Sequence, residues 1–276
     1  MLHRHIEDWD DAYTNGAHIP QGDRWPERWA EPARRYREAM LSEGRARLDI
    51  AYGDGPRNVL DLFLPSGTPK GLVVFIHGGY WRAFDKSLWS HLAAGSVDSG
   101  YAVAVPSYTL CPEARIAGIV REVASAIEAA AGEIAGPIAL TGHSAGGHLA
   151  TRMICAPSPL SPAVLSRIAN TVSISGVHDL RPILRTALNN DIRSDEVEAA
   201  QESPALLRPV EGARLTCWVG GAERTEFIRQ SALLANVWTG LGAATQSVVE
   251  PDRHHFTIVD GLGSADHPLT RTLLAF

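Results

Sequence analysis

A chain of 276 residues with 45% apolar content is long enough to bury one large core, and a net charge of −6 without a basic stripe argues against nucleic acid or anionic membranes as partners. Its three cysteines, Cys111, Cys155 and Cys217, are widely spaced and form no C-x-x-C pair, which indicates neither a disulfide framework nor a zinc site. No apolar run approaches a membrane span and Met1–Asp10 lacks the apolar stretch of a signal peptide, so a soluble cytoplasmic protein is expected.

In chain order, residues 1–44 form an aromatic-rich arm with Trp9, Tyr13, Trp25, Trp29 and Tyr36. Pro32 is expected to open a helix on which Trp29, Tyr36, Ala39 and Met40 recur at helical spacing until Gly44. The arm is expected to dock on the body, to cap the site, or both. From residue 45 to 276 the texture is that of one catalytic domain. Arg47–Tyr52 and Asn58–Pro65 alternate around a Gly-Asp-Gly-Pro turn and read as an antiparallel hairpin. Leu72–His77 is continuously apolar, the mark of a strand buried on both faces. A helix over Lys86–Asp98, a strand over Tyr101–Pro106 and a long helix over Glu113–Ala131 follow. Then come the strand Pro137–Leu140 and a helical pattern, His148–Ile154. Thr171–Gly176 is the next strand, residues 177–210 read as an irregular excursion that walls a pocket, and Leu215–Gly220, a helix over Glu226–Thr239 and Thr245–Glu250 complete the series. Cys155 and Cys217 fall in apolar helix and strand patterns and are expected as small core residues. Alternation at this spacing predicts an α/β fold: a mostly parallel sheet of about eight strands, helices on both faces and an N-terminal helical arm.

The chemistry gathers where strands end. Gly142-His143-Ser144-Ala145-Gly146 lies between strand and helix, the setting of a nucleophile elbow, with Ser144 at a helix N-terminus. A serine hydroxyl needs a base, and His254 and His255 both stand on a late loop. The base needs a carboxylate; Glu223 follows the penultimate strand, with Glu226, Asp252 and Asp179 as alternatives. His77-Gly78-Gly79 directly after a buried strand has the form of the oxyanion loop of lipases and esterases. Gly78, Gly79 and Ala145 are therefore the expected oxyanion donors, with His77 anchoring the loop. Tyr80, Trp81 and His143, which holds the variable elbow position, are assigned to the substrate side. The order serine, acid, histidine is that of α/β-hydrolase triads. No H-E-x-x-H, clustered metal-ligand spacing or G-x-G-x-x-G is present, so no metal and no cofactor are expected.

Taken together, Phe75–Trp81, Gly142–Ala150, Ser175–Leu180 and Glu226–Ser231 resemble the kynurenine formamidase (arylformamidase) branch of the α/β hydrolases, close to the hormone-sensitive-lipase-like esterases. The H-G-G-x-W loop ending in Trp81 carries most of that resemblance, which covers roughly residues 45 to 260. It implies that His255, directly before Phe256, is the catalytic histidine. The animal formamidases usually have aspartate where Glu223 stands. The resemblance implies a serine hydrolase of short-acyl carboxylic esters, or an arylformamidase acting on N-formylkynurenine. A non-catalytic small-molecule-binding protein on the same fold is the reading from another class. The expected partner is a small-molecule ester or formamide, with a homodimer allowed.

Overall fold

The computed structural model describes residues 5–276; the first four residues of the arm, which belong to the stretch read as lacking a signal peptide, lie outside the described residues. The arm carries helices α1 (Trp9–Tyr13) and α2 (Trp25–Ser42). The strands are β1 (Ala46–Ala51), β2 (Val59–Phe63), β3 (Leu72–Ile76), β4 (Ala102–Pro106), β5 (Ile138–His143), β6 (Cys155–Ala156), β7 (Ile168–Ile174), β8 (Arg208–Pro209), β9 (Arg214–Gly220) and β10 (Ala244–Glu250). Among and after them lie α3 (Ala94–Asp98), α4 (Ile116–Glu133), α5 (Ala145–Arg152), α6 (Pro162–Leu165), α7 (Asn189–Ile192), α8 (Glu196–Gln201), α9 (Thr225–Thr239) and α10 (Pro268–Leu273). Eight strands form one sheet in the order β1-β2-β4-β3-β5-β7-β9-β10, while β6 and β8 make a separate antiparallel pair. β1 and β2 form the expected hairpin, β2 is also antiparallel to β4, and the remaining pairs are parallel. The predicted α/β architecture is thus the observed one.

The period-two alternation of each strand sorts its side chains between two cores. Leu72, Val74 and Ile76 enter one core with residues of α4, α5 and α9, whereas Val73 and Phe75 enter the other with residues of α2, α3 and α10. Each residue of β3, β4 and β5 is buried, which is why these strands read as unbroken apolar runs. β1, at the sheet edge, alternates between half-buried and exposed. After β3 the chain pairs β4 on one side and then crosses to pair β5 on the other. That reversal opens a crevice at the carboxyl ends of β3 and β5.

Local structure departs from expectation at several places. α2 starts at Trp25 with Pro26 in its first turn and runs through Pro32, because its buried face, Trp29, Ala33 and Met40, extends to both sides of that proline. The segment expected as a helix over Lys86–Asp98 is two 3₁₀ turns followed by α3. Trp89 turns inward there, and Gly95 passes so close to Leu262 that a Cβ on it would lie 2.5 Å from the Leu262 carbonyl oxygen. Residues 177–210 are not irregular throughout; they hold α7 and α8, the latter capped by Asp195 accepting from the Glu198 amide. Cys155 lies in β6 rather than on a helix, and all three cysteines are buried and unpaired. Among the described residues no helix is long and apolar enough to cross a membrane.

Candidate active site

β5 ends at His143, and the chain turns at Ser144 directly into α5. Ser144 has φ 57° and ψ −117°, a conformation that places its side chain at the tip of a sharp turn. The glycines on either side answer to steric necessity. A Cβ on Gly142 would lie 2.2 Å from the Gly146 carbonyl oxygen, and one on Gly146 would lie 1.9 Å from that of Ile76. Strand, elbow and helix therefore cross with no room for a methyl group.

His255 follows β10 and Glu223 follows β9. The Nδ1 of His255 lies 2.6 Å from Oε2 of Glu223. A carboxylate only accepts, so Nδ1 donates, leaving Nε2 as the free ring nitrogen in the neutral imidazole. Oε1 of Glu223 accepts from the Ser175 hydroxyl at 2.5 Å and the Gly220 amide at 2.8 Å. The His255 ring is flanked by His143 and Phe227, with centroid separations of 4.6 and 4.4 Å. The other acids are engaged elsewhere. Glu226 forms a two-pronged pair with Arg229 and accepts from Tyr13, Asp179 pairs with Arg181, and Asp252 is exposed. His254 is half-buried and packs against Trp25.

Gly78 and Gly79 follow β3 and Ala145 begins α5, on the two sides of the crevice. None of their three amides donates to a protein acceptor among the described residues. His77 holds the loop from below. Its Nδ1 donates to the Gly78 carbonyl at 2.7 Å, its ring stacks on Tyr108 at 4.4 Å, and the Tyr108 hydroxyl donates to its main-chain oxygen at 2.9 Å. Complete burial pushes the His77 imidazole down to about 4, so it is neutral at physiological pH.

A cavity of about 530 Å³ opens over these groups, lined by Ser144, His143, His255, Gly79 and Tyr80. Its apolar walls are Trp29, Phe84, Trp89 and Phe256, and the arm closes one side with Asp10 and Tyr13 to Gly16. No hydrogen bond joins the Ser144 hydroxyl to His255 among the described residues, although both side chains border this cavity. Such contacts are commonly long before substrate binds. Tyr80 is half-buried at the rim, where its hydroxyl donates to the Tyr13 carbonyl. Trp81 lies elsewhere. It is 0% exposed, does not line the cavity, and donates through its indole N–H to His148 Nδ1 at 3.3 Å. The odd residue of the loop turns its side chain inward, so Trp81 braces α5 instead of meeting substrate.

Several contributors were not singled out by motif. Ser175 lies within a family-like stretch but gave no sign of bonding to Glu223. Trp89 comes from the segment expected as one helix over Lys86–Asp98, and Phe84 from the loop just before it. Tyr13 and Trp29 were visible only as arm aromatics. Tyr13 donates to Glu226 at 2.6 Å and accepts from Gln230 at 2.9 Å, tying α1 to α9.

The BD-FAE family model matches residues 60–201. The chain is 31% identical to a kynurenine formamidase of Danio rerio over 250 residues, covering 86% of this chain and 84% of that protein. An isoprenylcysteine alpha-carbonyl methylesterase of Arabidopsis thaliana is 35% identical over 114 residues, 38% of this chain and 27% of that protein. The crystal structure of a Silicibacter protein assigned provisionally as a thioesterase superposes with a TM-score of 0.92 at 47% identity, over 97% of this chain and 99% of that one. A hyperthermophilic esterase from Pyrobaculum calidifontis shares the fold with a TM-score of 0.71 at 16% identity, over 92% of this chain and 90% of that one.

Proposed function

The chain belongs to the kynurenine formamidase-like branch of the α/β hydrolases and is a hydrolase; from that premise we propose that it is a serine hydrolase of short-acyl carboxylic esters, working through Ser144, His255 and Glu223. The observation that carries the reading is the 2.6 Å contact between His255 Nδ1 and Glu223, with Ser144 on the rim of the same cavity. His255 Nε2 takes the proton of the Ser144 hydroxyl as Oγ attacks the acyl carbonyl. Glu223 keeps the proton on Nδ1 and stabilises the imidazolium. The amides of Gly78, Gly79 and Ala145, which have no protein acceptor among the described residues, donate to the oxyanion. His255 returns the proton to the leaving alcohol, and water, activated by the same nitrogen, releases the acyl group. The aromatic walls favour an aryl leaving group by stacking.

Hydrolysis of an aryl formamide such as N-formylkynurenine is the second reading. It is favoured by the likeness to kynurenine formamidases across most of the chain. The steps are the same, with formyl as the acyl group passed to Ser144 and then to water, and an aryl amine replacing the alcohol as leaving group.

Ser144→Ala is expected to abolish turnover of p-nitrophenyl acetate while leaving thermal unfolding within a few degrees of the parent; comparable activity in the variant refutes the nucleophile assignment. The ratio of kcat/KM for N-formylkynurenine to that for p-nitrophenyl acetate separates the two readings, and a negligible value for the formamide removes the second.

A further inference from the structure

Nucleophile and base stand on separate elements, the elbow after β5 and the loop after β10. One side chain joins them. His143 immediately precedes Ser144, and its Nε2 lies 2.8 Å from the main-chain oxygen of His255. A carbonyl oxygen can only accept, so Nε2 carries a proton. Burial, reinforced by the neighbouring His255, holds His143 well below the ordinary imidazole range, so the ring is neutral and Nδ1 is bare. That Nδ1 is buried without a hydrogen-bond partner among the described residues, so what the side chain offers is a single N–H directed at the histidine loop. The residue is fixed from behind as well. Gly78 crosses so near it that a Cβ there would lie 2.8 Å from the His143 carbonyl oxygen.

We propose that His143 is a positioning residue for the hydrolysis, its Nε2–H setting the main chain of His255 relative to Ser144 so that the imidazole reaches the hydroxyl. This rests on the reading of Ser144 and His255 as nucleophile and base. The position before the nucleophile is rigidly tied to it by one peptide unit. The histidine loop is held at its flanks, where the Ala222 amide donates to the Arg253 carbonyl and His254 and Phe256 pack on Trp25, but among the described residues no other hydrogen bond reaches the main chain of His255. A second tether, on the main chain, fixes where the ring starts as well as how it is turned. The neutral state of His143 also matters, because a cation beside His255 would oppose the imidazolium that catalysis needs.

Three variants test it with p-nitrophenyl acetate. Glutamine carries an amide N–H at about the reach of the ring Nε2, asparagine stops one atom short, and phenylalanine keeps the ring without the N–H. We expect His143→Asn and His143→Phe to lose about 10- to 100-fold in kcat with KM within about threefold, the scale of a misplacement of roughly 1 Å. His143→Gln is expected to recover most of that loss. The assignment is overturned if the asparagine variant keeps the parental kcat, if glutamine loses as much as phenylalanine, if the loss falls on KM instead, or if all three fail to fold, which would make the role one of packing. Ser144→Ala in the same assay separates the failures. Activity there sinks the underlying reading, whereas an inactive Ser144→Ala beside an unimpaired His143→Asn sinks only the tether.

Discussion

Glu223→Gln is the most demanding substitution for the proposed mechanism, because it conserves size and changes only what the side chain can accept. Both carboxylate oxygens are engaged by donors: the Ser175 hydroxyl at 2.5 Å and the Gly220 amide at 2.8 Å on Oε1, and His255 Nδ1 at 2.6 Å on Oε2. An amide has one oxygen. Turned toward His255, it points its NH₂ at the Gly220 N–H; the serine hydroxyl can rotate to accept, but the backbone donor is stranded in a buried site at a cost of about 1–3 kcal/mol. Turned the other way, the NH₂ faces Nδ1, the imidazole must move its proton to Nε2, and the base is lost. In either case no negative charge remains to stabilise the imidazolium. The expected result is a fall in kcat on the order of 10³–10⁴-fold, as for triads whose acid is made an amide, with only a modest loss of stability. Steady-state kinetics on p-nitrophenyl acetate and a urea unfolding curve read the two effects. Glu226→Gln is the comparison, since Glu226 serves Tyr13 and Arg229 rather than His255. Activity of Glu223→Gln within about threefold of the parent, or an equal loss in Glu226→Gln, would refute the reasoning.

Tyr13→Phe keeps the ring, which packs edge-on against Phe227 at 6.0 Å, but deletes the hydroxyl that bonds Glu226 and Gln230. Loss of a hydrogen bond to a charged partner should cost about 1.5–3 kcal/mol, read as a lower urea midpoint and faster tryptic cleavage near Arg24; an unchanged midpoint and cleavage rate would show that the arm is held by other contacts. The chain should also be labile to mild acid. His77, His148 and His178 are wholly buried, and burial pushes them down to about 4, about 4 and about 3. Unfolded histidines titrate near about 6.5, so between those values the unfolded chain takes up protons that the native state refuses. Stability is therefore whole above about pH 6.5 and is lost as pH falls toward 4, by roughly 1.8 kcal/mol per histidine between pH 7 and pH 5. Urea midpoints that stay flat over that interval would contradict the assignment of three neutral buried rings.

How much of this was legible in the chain itself follows from which interactions are local. The strands and their burial could be read because alternation and unbroken apolar runs are properties of neighbours in sequence: Leu72–Ile76 had to be covered on both faces, and it is. The elbow could be read because Gly142, Ser144 and Gly146 fall within five consecutive positions, and the need for two bare Cα atoms is local geometry. The broken segment after Lys86 and the inward turn of Trp81 could not. Both depend on surfaces, the Leu262 main chain and His148, supplied by distant parts of the chain.

The site divides along the same line. Residue order alone limited the acid to Glu223, Glu226, Asp179 or Asp252 and the base to His254 or His255, since each follows a strand or lies close after one. Which carboxylate meets His255 is a matter of ångströms, set where β9 and β10 bring their ends side by side and Ser175 and Gly220 hold one carboxylate against one imidazole. A carboxylate in sequence carries no record of its partner; Glu226, three residues on, faces Arg229 and Tyr13 only because α9 turns it there. The kinds of group present were written in the chain, but their meeting required the sheet.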